Sequence, residues 1–244
     1  MEKNELHKNT GYILYVDILG YKEILNSGDE TDISTLKKFI HDLQPVYLPT
    51  DNNLFNGCDK NKFHIRYFSD NILIFYQSIN EDLSTFIGMV YLANYIQSKG
   101  ITAGFMTRGS LSYGNIEHNG KIVFGKSIID SYELEKNNPF PSICLSPSLK
   151  DYALNHSLSN ADSIISPFGY FHDTDSDAKK WCLSGLRKMI NRLNHQIQVD
   201  ERILSKYDWL VEEYNRYFRI KPIFKIVRMP SAIYQIVKKS SERE

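Results

Sequence analysis

YILYVDILGY, residues 12 to 21, is an apolar run interrupted by a single acid, Asp17, and ending in a Leu-Gly-Tyr turn that contains Gly20. A run this apolar is typical of a central strand buried on both faces. A carboxylate in such a strand is costly unless a cation meets it. The stretch therefore predicts a central strand in which Asp17 either binds a metal ion or caps a helix that begins near Gly20.

The composition indicates a globular domain without a basic surface. The 244 residues contain 29 Lys plus Arg and 29 Asp plus Glu, so the formal net charge is zero and nucleic acid is not expected as a partner. Three cysteines with no CxxC spacing indicate neither a disulfide framework nor a zinc site. No apolar run approaches the ~20 residues of a membrane span. Because no signal segment is visible either, we expect a soluble, cytoplasmic protein that does not bind membranes.

A second acid stands in FHIRYFSDNILIFY, residues 63 to 76. Two β-rich runs around Ser-Asp-Asn are typical of a hairpin, which puts Asp70 at its tip. An Asp at a hairpin tip is common, so this position alone does not indicate a site. Arg66 shares a face of the first arm with His64, and it either projects towards a site or forms an ion pair at the strand edge.

The remaining elements follow from periodicity and end signals. In chain order they are a helix over 33–43 with Asp32 as a possible cap, a helix from Asn80 to Lys99 ended by Gly100, a strand over 101–114 bent or bulged at Gly109, a helix from Gly125 to about Asn137, a short strand over 142–145, helices over 177–198 and 201–218, and a final strand in SAIYQIVKK. The acids of PFGYFHDTDSD are interpreted as a solvated turn. This order predicts an α+β fold with a mostly antiparallel or mixed sheet and helices packed on one face.

Asp17 and Asp70 together suggest chemistry. One acid closes a buried strand and the other lies at the tip of a hairpin expected beside it, next to a glycine turn that is suited to phosphate. Two carboxylates on adjacent strands are the arrangement that holds two divalent ions against a triphosphate.

Four motifs in order carry a resemblance to the class III nucleotidyl cyclase domain, and more narrowly to the bacterial Pycsar pyrimidine cyclases. They are YVDILGY around Asp17, FSDNILIFY around Asp70, RGSLSYG over 108–114, and FGKSIIDSYELEKN over 124–137 followed by PFPSICLS. The resemblance implies a ferredoxin-like cyclase core over residues 1–146, with residues 147–244 as a C-terminal extension of two long helices and a final strand that completes the same domain.

The resemblance also implies site residues. Asp17, the backbone carbonyl of Ile18 and Asp70 would bind two Mn²⁺ or Mg²⁺ ions, and Leu19, Gly20 and Tyr21 would contact the triphosphate. Arg66 falls where adenylyl cyclases carry a base-reading Lys, and its planar donor fork suits a pyrimidine carbonyl. Arg108 is expected either to contact phosphate or to anchor its strand to a carboxylate. In this family the two sites lie at the interface of a homodimer.

Three positions depart from the adenylyl and guanylyl cyclase pattern. Ile129 and Glu133 stand where those enzymes carry an Asn and an Arg, and Ile122 replaces their acidic base-reading residue. The Pycsar cyclases share this loss. We therefore expect an enzyme that converts a pyrimidine nucleoside triphosphate to the 3',5'-cyclic monophosphate and pyrophosphate. UTP is favoured over CTP as its substrate.

The cyclic nucleotide would act as a second messenger in anti-phage defence, through an effector that need not bind this chain. The alternatives are a degenerate, cyclase-like nucleotide sensor and another palm-type two-metal nucleotidyltransferase.

Overall fold

The computed structural model describes residues 7–43, 59–118, 123–158, 165–195, 199–220, 224–229 and 234–238. Its strands are β1 (His7–Leu19), β2 (Phe63–Phe68), β3 (Asn71–Gln77), β4 (Met106–His118), β5 (Val123–Phe124), β6 (Ile143–Leu145), β7 (Phe224–Arg228) and β8 (Tyr234–Lys238). Its helices are α1 (Tyr21–Ser27), α2 (Glu30–Asp42), α3 (Leu83–Ala103), α4 (Lys126–Lys136), α5 (Pro147–Asn155), α6 (Ser176–Leu193) and α7 (Glu201–Tyr217).

The central sheet of the described residues has the order β2-β3-β1-β4-β5, with β6 paired to β4. The neighbours along this order are antiparallel, and only β6 runs parallel to its partner. The chain passes from β1 through α1 and α2 to the β2-β3 hairpin, and then through α3 to β4. This is the βαββαβ order of the ferredoxin-like arrangement. The predicted α+β fold with a mostly antiparallel central sheet is therefore confirmed.

β1 is the centre of the sheet, as its apolar sequence predicts. It pairs with β3 from Gly11 to Asp17 and with β4 along its whole length, from His7 to Leu19. One face of β1, which carries Tyr12 and Leu14, packs with α2 and α3 in the main core. On the opposite face, Ile13 packs with residues of β3 and β4.

Helix α4 lies on the face of the sheet opposite α2 and α3, so the expectation that the helices share one face is wrong. The Ser131 hydroxyl is 2.6 Å from that of Ser112, and Ser110 donates to the Ser131 carbonyl at 2.8 Å. A Cβ at Gly114 would lie 2.2 Å from the Ser127 hydroxyl. The small residues of RGSLSYG thus let α4 lie directly on β4.

Two helix starts differ from the sequence prediction. The carboxylate of Asp29, and not that of Asp32, accepts hydrogen bonds from the first turn of α2. Asp82, and not Asn80, caps α3 by accepting from Thr85 N at 2.8 Å. Both segments offer several side chains suited to capping, so the sequence alone does not select between them.

The end of α3 and the start of β4 also differ. The helix runs through Gly100 to Ala103 and ends at Gly104, whose φ of 93° favours glycine, so residues 101–103 are helical and not extended. The β1-β4 pairing continues without a bulge at Gly109. This glycine instead allows close strand approach, because a Cβ there would lie 2.2 Å from the Tyr15 carbonyl oxygen.

The C-terminal region contains more elements than expected. Helix α5 begins at Ser146-Pro147, with the Ser146 hydroxyl as cap, and was not predicted. Helix α6 ends at Leu193, short of the predicted residue 198. Strand β7 was not predicted either, and it forms a separate antiparallel pair with β8. Pro45 and Pro49, which follow the helix predicted over 33–43 and should end it, lie outside the described residues.

Candidate two-carboxylate site

Asp17 lies near the end of β1 on the face that carries α4. In the sheet it stands between Asn71 of β3 and Arg108 of β4. Its carboxylate is 3.7 Å from Arg108 Nη2, and its side chain is 17% exposed. Helix α1 has Gly20 as its N-cap residue, without a side-chain cap, so the helix-cap explanation of Asp17 does not hold.

The surroundings of Asp17 disfavour its charged form. Burial raises the pKa of its carboxyl to about 6, with further contributions from the negative charges of Glu135 and Asp70. The positive charges of Arg108 and Lys206 oppose this rise. Asp17 is therefore a buried carboxyl with two acidic neighbours, and a bound cation would offset the cost of its negative charge.

Asp70 lies at the hairpin tip beside the end of β1, as the sequence predicts. The Ile18 backbone N–H donates to the Asp70 carbonyl at 2.9 Å. Ser69 before it has a left-handed φ of 59°, which makes the turn tight. This hydrogen bond holds the two acidic segments side by side.

Asn71 orients the Asp70 carboxylate, a role that was not predicted. The Asn71 amide donates to Asp70 Oδ1 at 2.8 Å. The Asn71 side-chain oxygen in turn accepts from the Tyr15 hydroxyl at 2.6 Å. Asn71 directly follows the predicted tip residue Asp70. Its polar side chain at this position is the sequence feature that could have indicated this orienting role.

The glycine turn at Gly20 forms as predicted, but the helix behind it is short. Gly20 has a φ of 80°, and a Cβ there would meet nothing within 4 Å, so the backbone conformation alone favours glycine. Helix α1 spans seven residues and has the acidic Glu23 in its first turn. A helix this short contributes little attraction for an anion, so contact of Leu19, Gly20 and Tyr21 with a triphosphate stays a prediction.

The donor set fits a divalent ion that binds together with a phosphate ligand. In the part of the chain that the structure describes, no three His, Cys, Asp or Glu side chains are grouped to hold a metal ion. Mg²⁺ is usually bound by one or two carboxylates plus substrate phosphates and water. The carboxylates of Asp17 and Asp70 with the Ile18 carbonyl match this pattern.

Arg108 is engaged with protein groups. Its Nε donates to the carboxylate of Glu135, which is buried on α4, and its Nη1 donates to the Asn138 carbonyl at 3.3 Å. Of the two roles expected for Arg108, the observed contacts match anchoring of the strand to a carboxylate. Glu135 thereby ties the end of α4 to the strand beside Asp17.

Arg66 lies on the same sheet face as Asp17 but is not adjacent to it. Arg66 pairs with Leu73 of β3, and Leu73 pairs with Tyr15 of β1. Because Tyr15 lies two residues before Asp17, Arg66 is one row of side chains away from Asp17 on this face. Its Nη1 donates to its neighbour's carbonyl, Ile65 O, at 2.8 Å. Base reading by Arg66 stays a prediction.

Helix α4 exposes the positions that depart from the cyclase pattern. The side chain of Ile129 is 61% exposed, and Glu133 is exposed as well. Neither side chain is positively charged. Ile122 lies outside the described residues. In the predicted solvated turn, Asp175 caps α6 by accepting from Asp177 N at 2.9 Å, and Asp173 lies 3.5 Å from Arg219.

A cavity of about 640 Å³ adjoins the glycine turn. It is lined by Leu19, Gly20 and Glu23 from the start of the fold, and by Arg192 of α6 and Tyr207 of α7 from the C-terminal helices. The C-terminal helices therefore pack against the segment that follows Asp17. The amphipathic pattern of these helices did not indicate this position.

No family model matches this chain, and no curated protein is significantly similar to it. Several solved structures share part of its fold. The guanylyl cyclase Cya2 aligns over 61% of this chain and 80% of its own, with 12% identity and a TM-score of 0.44. An adenylate/guanylate cyclase/hydrolase from Silicibacter pomeroyi aligns over 62% of this chain and 84% of its own, with 17% identity and a TM-score of 0.43.

A class III adenylyl cyclase-like ATP-binding protein from Pseudomonas aeruginosa aligns over 66% of this chain and 40% of its own, with 14% identity and a TM-score of 0.44. These TM-scores lie below 0.5, so the function has to be inferred from the residues of this chain. In the described residues, no helix is both long and apolar enough to cross a membrane.

Proposed function

We propose that this protein is a metal-dependent nucleotide cyclase. The observation that carries the proposal is the 2.9 Å hydrogen bond from Ile18 N–H to the Asp70 carbonyl, which holds two acidic segments together at the end of the central strand. The raised pKa of the Asp17 carboxyl supports a cation-binding role for this position.

The proposed reaction joins two ends of one nucleotide. The 3'-oxygen attacks the α-phosphorus, the bond from that phosphorus to the β-phosphate oxygen breaks, and pyrophosphate leaves with the electron pair. The 3'-hydroxyl proton passes to solvent. Two Mn²⁺ or Mg²⁺ ions supply charge neutralisation and lower the pKa of the attacking hydroxyl. Asp17, Asp70 and the Ile18 carbonyl would hold these ions, and Asn71 fixes the orientation of Asp70.

The proposed substrate is UTP, or else CTP, and the proposed role is second-messenger production in anti-phage defence. Both rest on the sequence resemblance to the Pycsar cyclases. Arg66 would read the pyrimidine with its planar donor fork. Leu19, Gly20 and Tyr21 would contact the triphosphate. We keep residues 1–146 as the proposed catalytic core and residues 147–244 as its extension.

We further propose that the enzyme works as a homodimer with the sites at its interface. The α4 side of the molecule exposes large apolar side chains, of which Ile129 is 61%, Phe124 is 61% and Tyr132 is 42% exposed. Exposed apolar groups of this size are typical of an interaction surface. A second copy would cover them and bring its own Arg66 to the site.

A degenerate nucleotide sensor is the second candidate function. The specific observation in its favour is that α4 exposes Ile129 and Glu133, so this helix offers no cation at those positions for the charge that develops on phosphate. A sensor would bind nucleotide through the same acids and release it unchanged.

Incubation of the protein with each of the four nucleoside triphosphates and Mn²⁺ tests the proposal, with the products identified by mass. We expect a cyclic pyrimidine monophosphate from the wild type and none from Asp70→Asn. Asp177→Asn, at an exposed ion pair on α6, is the matched control and should retain activity.

The other outcomes separate the alternatives. Binding without turnover by a folded protein would leave the sensor as the function. Linear or dinucleotide products would indicate a palm-type nucleotidyltransferase. A cyclic purine product would overturn the pyrimidine assignment but not the cyclase assignment.

The interface is tested separately by mixing two inactive variants, Asp17→Ala and Arg66→Ala. A shared site predicts partial recovery of activity in the mixture, because one composite site would be intact. No recovery by dimeric protein would count against sites that draw residues from both copies.

A further inference from the structure

Helix α7 approaches the candidate site from outside the ferredoxin-like core. Tyr207 lines the cavity that Leu19 and Gly20 also line. Two residues further along, Trp209 stacks on Phe140, with ring centroids 5.1 Å apart and planes 19° apart. Phe140 follows the end of α4. Helix α7 therefore spans from the glycine turn to the end of α4, and Lys206 lies on it beside these two contacts.

Lys206 is half-buried and has no protein partner in the part of the chain described: no hydrogen bond or ion pair forms at its ammonium. The groups that act on it electrostatically are Arg108, Asp17 and Glu135. Burial lowers the pKa of Lys206, Arg108 lowers it further, and the two acids raise it. The charge of Lys206 has therefore lost part of its water without gaining a carboxylate within 4 Å, and an anionic ligand would compensate for that loss.

The two neighbouring arginines each have a carboxylate partner, although Nη2 of Arg192 has no hydrogen-bond partner among the described residues. Arg108 is held by Glu135 and by the Asn138 carbonyl. Arg192, on the other side of the cavity, is paired with Asp32 at 2.6 Å and donates to the Gly104 carbonyl. A counter-ion role for Lys206 would bring its ammonium within 4 Å of a carboxylate, and no such pair is present among the described residues.

We propose that Lys206 binds a phosphate of the nucleotide, and that α7 thereby supplies in the same subunit the positive charge that α4 does not offer at Ile129 and Glu133. This inference rests on the proposed nucleotide function. An ammonium is a compact charge that suits a phosphate oxygen. The proposed ligand of Lys206 is therefore a polyphosphate bound together with divalent ions, and this contact does not depend on the attached base.

Calorimetric binding of inorganic tripolyphosphate in the presence of Mn²⁺ tests the inference without relying on turnover. This probe lacks a base and a sugar, so it isolates the phosphate contact. The proteins are the wild type, Lys206→Met, Lys206→Arg and the control Lys37→Met, which changes an exposed lysine of α2. We expect binding by Lys206→Met to be about 10- to 100-fold weaker than by the wild type, since a hydrogen bond to a charged group is lost.

Three comparisons make the outcome decisive. Lys206→Arg should recover most of the affinity, and Lys37→Met should bind like the wild type. Thermal unfolding of Lys206→Met without ligand should occur at or above the wild-type temperature, whereas loss of a structural ion pair would lower it.

Equal binding by the wild type and Lys206→Met would overturn the role of Lys206 and leave the proposed function intact. Failure of the wild type to bind either tripolyphosphate or any nucleoside triphosphate would overturn both proposals.

Discussion

Replacement of Asp17 by Asn should stabilise the protein in metal-free buffer while removing its proposed activity. In the folded protein, the pKa of the Asp17 carboxyl is raised from 3.8 to about 6, chiefly by burial. The charged carboxylate therefore destabilises the fold at pH 7.5. An amide of the same shape has no charge to bury and keeps the polar contact with Arg108.

The size of the effect follows from the pKa shift. A difference of one unit corresponds to ~1.4 kcal/mol, so the ionised Asp17 costs up to about 3 kcal/mol of folding free energy above pH 6. For a chain of this length, that corresponds to a rise of roughly 6 to 12 °C in unfolding temperature in the variant. The sign is fixed because the folded state binds its proton more tightly than the unfolded state. The wild type is therefore relatively more stable at acid pH and loses this stability as the pH rises from about 4 to 6.

Urea denaturation in EDTA at pH 7.5 and at pH 4 measures the prediction. Asp17→Asn should have a higher free energy of unfolding than the wild type at pH 7.5. This difference should fall towards zero at pH 4, where the wild-type carboxyl is protonated. Asp130→Asn should stay within about 0.5 kcal/mol of the wild type at both values, because its carboxylate is exposed. Added Mn²⁺ should stabilise the wild type more than Asp17→Asn. A variant less stable than the wild type at pH 7.5 without metal would refute this account of Asp17.

Three further changes test other parts of the fold. Glu135→Gln should destabilise the protein by about 3 kcal/mol, since it leaves the guanidinium of Arg108 without its buried partner; chemical denaturation measures this, and no loss would show that the pair does not anchor α4. Gly20→Ala should cost about 1 kcal/mol in the same assay because of its φ of 80°, and Gly20→Asn should cost less; equal effects would rule out backbone conformation as the cause. Gly114→Ala should cost about 1–3 kcal/mol, because its Cβ would overlap Ser127 and push α4 from the sheet, and an unchanged midpoint would contradict this close packing.

The sequence predicts those parts of the fold that depend on local pattern. The apolar run around Asp17 identified the central strand, and the Ser-Asp-Asn turn identified the hairpin whose tip is Asp70. The resemblance of both motifs to one family then supplied the ferredoxin-like order, which the sheet topology bears out. Helix α4 was likewise bounded correctly by Gly125 and Asn137.

The failures have three physical origins. Cap positions were misassigned where several polar residues stand together, since any of them can accept from a first turn. Gly100 was predicted to end α3, but the hydrogen bonds of this helix continue past it. The Phe105 N–H donates to the Gly100 carbonyl at 2.8 Å. The position of Lys206 depends on tertiary packing. The amphipathic stripe of α7 shows which side of the helix is buried, but it does not show what that side meets.

The pairing of β1 has a consequence for synthesis of the chain. This central strand is made before both of its partners, β3 and then β4, which ends at His118. Until those strands leave the ribosome, both edges of the apolar YILYV run are open to pairing with other chains. In the nascent segment Asp17 is exposed to water and ionised, and a charge next to such a run opposes aggregation. The same carboxyl that destabilises the finished fold should thus oppose aggregation of the central strand during translation.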